Sequence, residues 1–176
     1  MMTEKQMLDV LIWQMKKDEG YSPTPYWDNK QWTWGFGTAV PNVEHREDFF
    51  DNKRKPVISI HRAEEELRSF IKDSINEFKI FYRKLYPIMG DCRKLAIINM
   101  LFNMGLPSLQ GFINMHKHIE TIYQIENTDM REELKERVIS GLWAGVAFEC
   151  YNSKWYDEVG KRSYRIVREI AYNISK

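Results

Sequence analysis

Apolar positions recur at helical spacing from the start of the chain. Leu8, Leu11, Ile12 and Met15 form one face, and Thr3 and Gln6 ahead of them have the spacing of a reciprocal capping box. Gly20 is the expected end of that helix. The period then changes. Tyr26-Trp27-Asp28 and the run from Trp32 to Thr38 read as two short strands, with Asn29-Lys30-Gln31 turning between them. On the second strand Trp32, Trp34 and Phe36 point one way, as a packing face. Thr33, Gly35 and Gly37 point the other way, giving an open face of small residues with room for a ligand and a water. Residues 40–56 are polar and irregular and read as a loop holding at most one ragged strand.

A long helix follows, capped by Ser59. Its stripe runs through Ile60, Ala63, Leu67, Phe70, Ile71, Ile75, Phe78, Tyr82 and Leu85 until Tyr86-Pro87 stops it. About 25 residues at 1.5 Å each span nearly 40 Å, the length of a strut joining two lobes with a cleft for a polymer between them. Beyond it the pattern is helical throughout. Asp91 is a candidate cap for a helix carrying Leu95, Ile98, Leu101 and Phe102 and closed by Gly105 and Pro107. Gly111-Phe112 opens another helix, and Thr128 or Asp129 caps the next, with Asp129 and Glu132 at box spacing and Gly141 as a candidate break. The fold class is therefore α+β and mostly α, a single domain over residues 1–176. It comprises a small hairpin-bearing lobe (20–60), a connecting helix (60–86) and a helical lobe built from 1–19 and 91–176.

Composition narrows the function classes. An apolar share of 43% in 176 residues supports a real core. A formal net charge of +1 provides no global field toward nucleic acid or anionic wall polymers. Charge is local instead: residues 161–176 hold Lys161, Arg162, Arg165, Arg168 and Lys176 against Glu169, a run that ordinarily forms a solvated helix face, as expected for Arg168 and Lys176. Cys92 and Cys150 read as free thiols in a chain that needs no disulfide scaffold. His45 and His61 lack partners at ligand spacing, so no metal is expected, and no phosphate loop or dinucleotide fingerprint implies a cofactor. The first residues are too polar for a leader's apolar core and no run could span a bilayer, so a cytoplasmic, monomeric protein without membrane insertion is expected.

The candidate chemistry lies in residues 17–37. By helical phase Glu19 falls within roughly 20° of Leu8, amid the apolar face, and sits in the last turn where the macrodipole is negative. Burial and dipole both favour its protonated form, which a general acid needs, whereas a frayed helix-end Glu would turn to solvent. Asp28 beside the turn is expected to stay ionised. In the helical lobe Asn99 and Asn103, four apart, could present amides to carbohydrate hydroxyls or be ordinary solvated polar residues.

Glu19 and Asp28 with eight residues between them, followed by Thr33 and framed by Asp-Glu-Gly, Tyr-x-Asp and Thr-x-Gly-x-Gly, resemble the active site of the T-even phage lysozymes, glycoside hydrolase family 24. The segment Ile98-Asn99-Met100-Leu101-Phe102-Asn103-Met104-Gly105, then Gln110-Gly111-Phe112, and Ser153-Lys154-Trp155-Tyr156 with Lys161-Arg162-Ser163-Tyr164-Arg165, resemble later blocks of the same family. Two departures stand out: four residues separate Asp28 from Thr33 where the family usually has five, and Thr38 stands where His is common. The chain is also longer than the T-even pattern around residues 123–138. The resemblance implies a lysozyme-like two-lobed fold and an endolysin-type muramidase that cuts the β-1,4 bond from N-acetylmuramic acid to N-acetylglucosamine. In that reading Glu19 is the acid, and Asp28 with Thr33 positions the water. Phe102, Asn103, Gly105, Asn99 and Gly35 contact glycan, and Arg162 holds Glu19. The partner would be peptidoglycan strands, reached from the host cytoplasm through a separate membrane pore. A lytic transglycosylase, working with one acid and no attacking water, and a non-catalytic wall-binding relative are the two other classes.

Overall fold

The computed structural model describes residues 1–28, 31–41 and 56–174. The expected α+β, mostly helical class is observed. Helix α1 (Glu4–Glu19) is followed by three short strands, β1 (Ser22–Trp27), β2 (Trp32–Gly35) and β3 (Thr38–Ala39). Among the described residues six further helices follow: α2 (Ile60–Phe81), α3 (Asp91–Gln110), α4 (Ile113–Glu126), α5 (Glu132–Tyr151), α6 (Lys154–Val159) and α7 (Lys161–Tyr172). Among the described residues no single helix is long and apolar enough to cross a membrane. The expected irregular segment lies mainly in 42–55, with His45, outside the described residues.

The chain divides into two compact units, Thr3–Asp73 and Met1–Met2 with Ser74–Lys176, the boundary falling inside α2. The division assigns α1 to the sheet-bearing unit, where residues 1–19 were expected with the helical lobe.

In the sheet-bearing unit the capping box forms as its spacing requires: Gln6 N–H donates to Thr3 Oγ1 and Thr3 N–H to Gln6 Oε1, at 3.2 and 2.8 Å. Met7, Leu8, Leu11 and Met15 on α1, the rings of Trp32, Trp34 and Phe36, and Ala63, Leu67 and Ile71 on α2 are all buried. Charged pairs link the two helices, Lys16 to Glu64 and, at 3.7 Å, Arg68 to Asp9. The sheet has order β1-β2-β3, both pairings antiparallel, with Tyr26 opposite Thr33 and Trp27 opposite Trp32. The single second strand expected from alternation is in fact two. A turn at Phe36–Gly37, with Gly35 at φ 59° and Gly37 at φ 84°, folds β3 back onto β2. Ser59 Oγ accepts from Arg62 N–H at 3.3 Å, capping α2 as expected, and the helix yields to tighter turns after Phe81.

The helical unit packs α5 against α4 and α7, and α7 against α3. Helix α3 is its centre: every residue from 94 to 101 is buried. It breaks at Gly105, which adopts φ 75° and ψ 160°, and Pro107 lies just beyond, in agreement with the expected stop. Other boundaries differ. Gly90, not Asp91, is the cap of α3. Asp91 instead sits in the first turn, where its carboxylate accepts from Met2 N–H at 2.6 Å. Arg131 rather than Thr128 or Asp129 precedes α5, with no side-chain cap, and α5 runs unbroken through Gly141.

Candidate active site

Helix α1 carries Glu19 as its final residue. Gly20 then takes φ 68° while its N–H still donates to Lys16 O at 3.2 Å, so the chain leaves the helix abruptly and reverses into β1. Half-buried, Glu19 lies against the β2–β3 turn. A Cβ added to Gly37 would come within 3.4 Å of Glu19 Oε2, so the carboxylate rests where that glycine has no side chain.

Asp28 ends β1. Its N–H donates to Gln31 O at 3.1 Å and its Oδ1 accepts from Gln31 N–H at 2.9 Å, closing the hairpin from both sides. The short Asp28-to-Thr33 spacing is thus accommodated by tying Asp28 to its own turn, and residues 29–30 within it lie outside the described residues. Thr33 is paired with Tyr26 across the ladder and is only 2% exposed.

Tyr26 reports how these groups are gathered. Partial burial raises its phenolic pKa first, the negative charges of Glu19 and then Asp28 raise it further, and an interaction with the Thr33 hydroxyl opposes them. Thr33 Oγ1 nevertheless makes no well-aligned hydrogen bond, so its interaction with the phenol is a loose one. Both carboxylates therefore act on one half-exposed phenol, with a buried hydroxyl beneath it. Tyr26 was not among the expected site residues, although its position two before Asp28 on the same strand face was a usable signal.

The open small-residue face is not observed. Gly35 is covered by α2, since an added Cβ would meet Ala63 Cβ at 2.9 Å, and it presents no surface to a substrate. Helix α2 fills the space that the alternation left empty.

The other expected site residues belong to the helical unit. Phe102 is half-buried, and Gly105 forms the break in α3. Asn103 is exposed and accepts from Trp155 Nε1 at 3.1 Å, a tie the sequence did not suggest. Asn99 is fully buried with neither amide atom hydrogen-bonded, so the two asparagines do not share a solvated face. Four residues apart, they diverge because α3 is enclosed on all sides around Asn99 and emerges only near its break. Arg162 is half-buried in the first turn of α7.

No protein-family profile matches the chain. The chain is similar to a probable T4-type lysozyme of Dictyostelium discoideum, 28% identical over 173 residues that cover 89% of this chain and 90% of that protein. That likeness runs over nearly the full length of both proteins.

Proposed function

We propose that this protein is a lysozyme-type glycoside hydrolase that cleaves the β-1,4 bond between N-acetylmuramic acid and N-acetylglucosamine in peptidoglycan. The observation that carries the reading is the pair of carboxylates, Glu19 and Asp28, whose charges converge on Tyr26. Two carboxyl groups with different surroundings are the minimal equipment of glycoside hydrolysis.

Glu19 protonates the leaving glycosidic oxygen. Its place at a helix end, against the bare face of Gly37, leaves space beside it for a sugar oxygen rather than a side chain. Asp28 acts as the base that orients water. Its Oδ1 is held by the turn, which fixes the carboxylate's direction. The Thr33 hydroxyl, beside Tyr26, acts with Asp28 to position that water. With these roles the reaction would invert the anomeric centre, a chemistry in which the two carboxyl groups stand about 6.5 to 9.5 Å apart to admit the water. Cleavage of wall polymer from inside a cell requires a membrane lesion made by another protein, and that is the proposed setting for its action.

The reading is tested by mass spectrometry of fragments released from purified peptidoglycan by wild type and by Glu19→Gln. Reducing muramic acid ends from wild type alone support it. Anhydro ends would reassign the chain to the lytic transglycosylases, and equal release by Glu19→Gln would remove Glu19 from the mechanism.

A further inference from the structure

On the helical unit, α5 and α7 enclose a groove of about 440 Å³ remote in sequence from the carboxylates. Its floor is small, with Ala144 and Ala147 from α5 and Ala171 from α7. Its walls are rings: Phe148, Tyr151, Tyr164 and Tyr172, each 55% to 67% exposed. Single exposed aromatics are ordinary, but four around one alanine floor form a patch that marks a binding surface. Tyr151 is braced edge-on by Tyr156, ring centres 4.7 Å apart.

The groove has a charged end. Tyr164 and Arg168 also line a smaller cavity of about 90 Å³ whose wall includes Arg165 and Glu169. Glu169 is 2% exposed and stands 3.8 Å from Arg165 Nε, while the Arg168 guanidinium lies 5.7 Å from the centre of the Tyr164 ring. With Glu169 buried, the charges α7 shows outward are positive. Arg168 thus belongs to a built surface rather than to the plain solvated face its sequence suggested.

We propose that this groove is a second saccharide site, taking a strand of N-acetylated amino-sugar glycan that bears carboxylates. The proposal rests on the reading of the protein as a peptidoglycan hydrolase. Flat tyrosine rings match the C–H faces of pyranose sugars and carry hydroxyls at their edges for sugar hydroxyls. Arg168 supplies a planar donor pair for a carboxylate of a lactyl group or stem peptide. A chain of net charge +1 has no general attraction to an anionic wall, so retention on it must come from a local site of this kind.

The test is cosedimentation with purified peptidoglycan sacculi, done in a Glu19→Gln background to keep the sacculi intact, with the double variant Tyr151→Ser/Tyr164→Ser and with Arg168→Gln. Each change should weaken retention, the double variant by about tenfold, the loss expected for roughly 1.4 kcal/mol of stacking. In the active background the same variants should solubilise sacculi more slowly yet cleave a soluble tetrasaccharide of the same glycan at the wild-type rate. Undiminished retention by both variants would overturn the proposal. So would retention that is unchanged while a wild-type dimer, seen by sedimentation velocity, dissociates in the variants, or while binding to anionic phosphatidylglycerol vesicles is lost. If wild type retains on sacculi through the groove but cleaves nothing, the active-site reading fails and the groove stands. Cleavage with groove-independent retention would instead leave the active site standing and overturn the groove.

Discussion

The two units hold themselves together by different means. In the helical unit, long apolar helices enclose one another, and α3 is buried on every side from residue 94 to 101. In the sheet-bearing unit a smaller core is supplemented by polar ties from side chain to backbone and side chain to side chain. Tyr21 Oη donates to Ile58 O at 2.7 Å, Thr38 Oγ1 to Glu66 at 3.1 Å, and Asp28 fastens its own turn. Glycines sharpen the contrast. Gly35 and Gly37 stand at positive φ where another chain segment closes in, whereas Gly141 lies in ordinary helix with nothing within 4 Å. A unit that must hold two carboxylates near one phenol uses its conformational freedom for close approach, and a unit built for packing does not.

This contrast can be broken at graded points. The largest effect belongs to Glu19→Gln, which should lower turnover of peptidoglycan by about 10² to 10⁴-fold while leaving circular dichroism and thermal midpoint unchanged. In the opposite unit, truncating the fully buried Phe78 to Ala should cost about 3 to 5 kcal/mol in urea unfolding, with cleavage per folded molecule preserved. Gly35→Ala sits between these extremes. It must keep φ near 59° and push against Ala63 Cβ, so a loss of about 2 kcal/mol and a misplaced sheet are expected, read as lower stability and lower turnover together.

A pH effect of intermediate size is confined to the helical unit. Tyr82 Oη lies 3.0 Å from His116 Nδ1, and His116 Nε2 lies 2.8 Å from Leu109 O. An Nε2–H that donates to Leu109 O leaves Nδ1 to accept the phenol's proton, so the folded ring is neutral. Burial lowers its pKa below the ordinary 6.5, outweighing the opposing bond to Leu109. With a depressed folded pKa the unfolded chain binds more protons. The stabilisation is complete above pH 6.5 and is lost as pH falls through the lower folded value. Urea midpoints measured from neutral to acidic pH should fall along that course. Tyr82→Phe, which leaves Nδ1 without its donor, should cost about 1 to 2 kcal/mol and move the acid decline upward. The smallest effect is a gain: Gly141→Ala should add about 0.5 to 1 kcal/mol, because an exposed helical glycine has only unfolded-chain entropy to lose.

Much of the helical scaffold was legible in the sequence. Thr3 and Gln6, Ser59, and the Gly105–Pro107 stop all act locally, and their residue types state their roles. Features fixed by distant neighbours were not legible. The alternation of residues 32–38 has a strand's period, and nothing local reveals that the chain turns at Gly35 and Gly37, with Ala63 close against the first and Glu19 beside the second. Asn99 has a polar residue's identity on a helix that the remaining chain wraps completely. Arg131 precedes α5 without capping it, so no side-chain signal could mark that boundary, and Gly141 tolerated in mid-helix gave a false one. For the candidate site, Glu19, Asp28 and Thr33 were visible as a spacing, while Tyr26 was marked only by standing two before Asp28, and its pairing with Thr33 shows why it matters.

Cys150 has a further consequence. Its Sγ lies 3.5 Å from the sulfur of Met115 and 3.8 Å from that of Met100, and enclosure pushes its thiol pKa up to about 12. Half-buried Cys92 samples the surface of the same unit. The molecule therefore carries two clocks with different triggers. A thiol-specific reagent should be consumed in two phases, the slow one timing how often the interior of the helical unit opens, with no label having to be introduced.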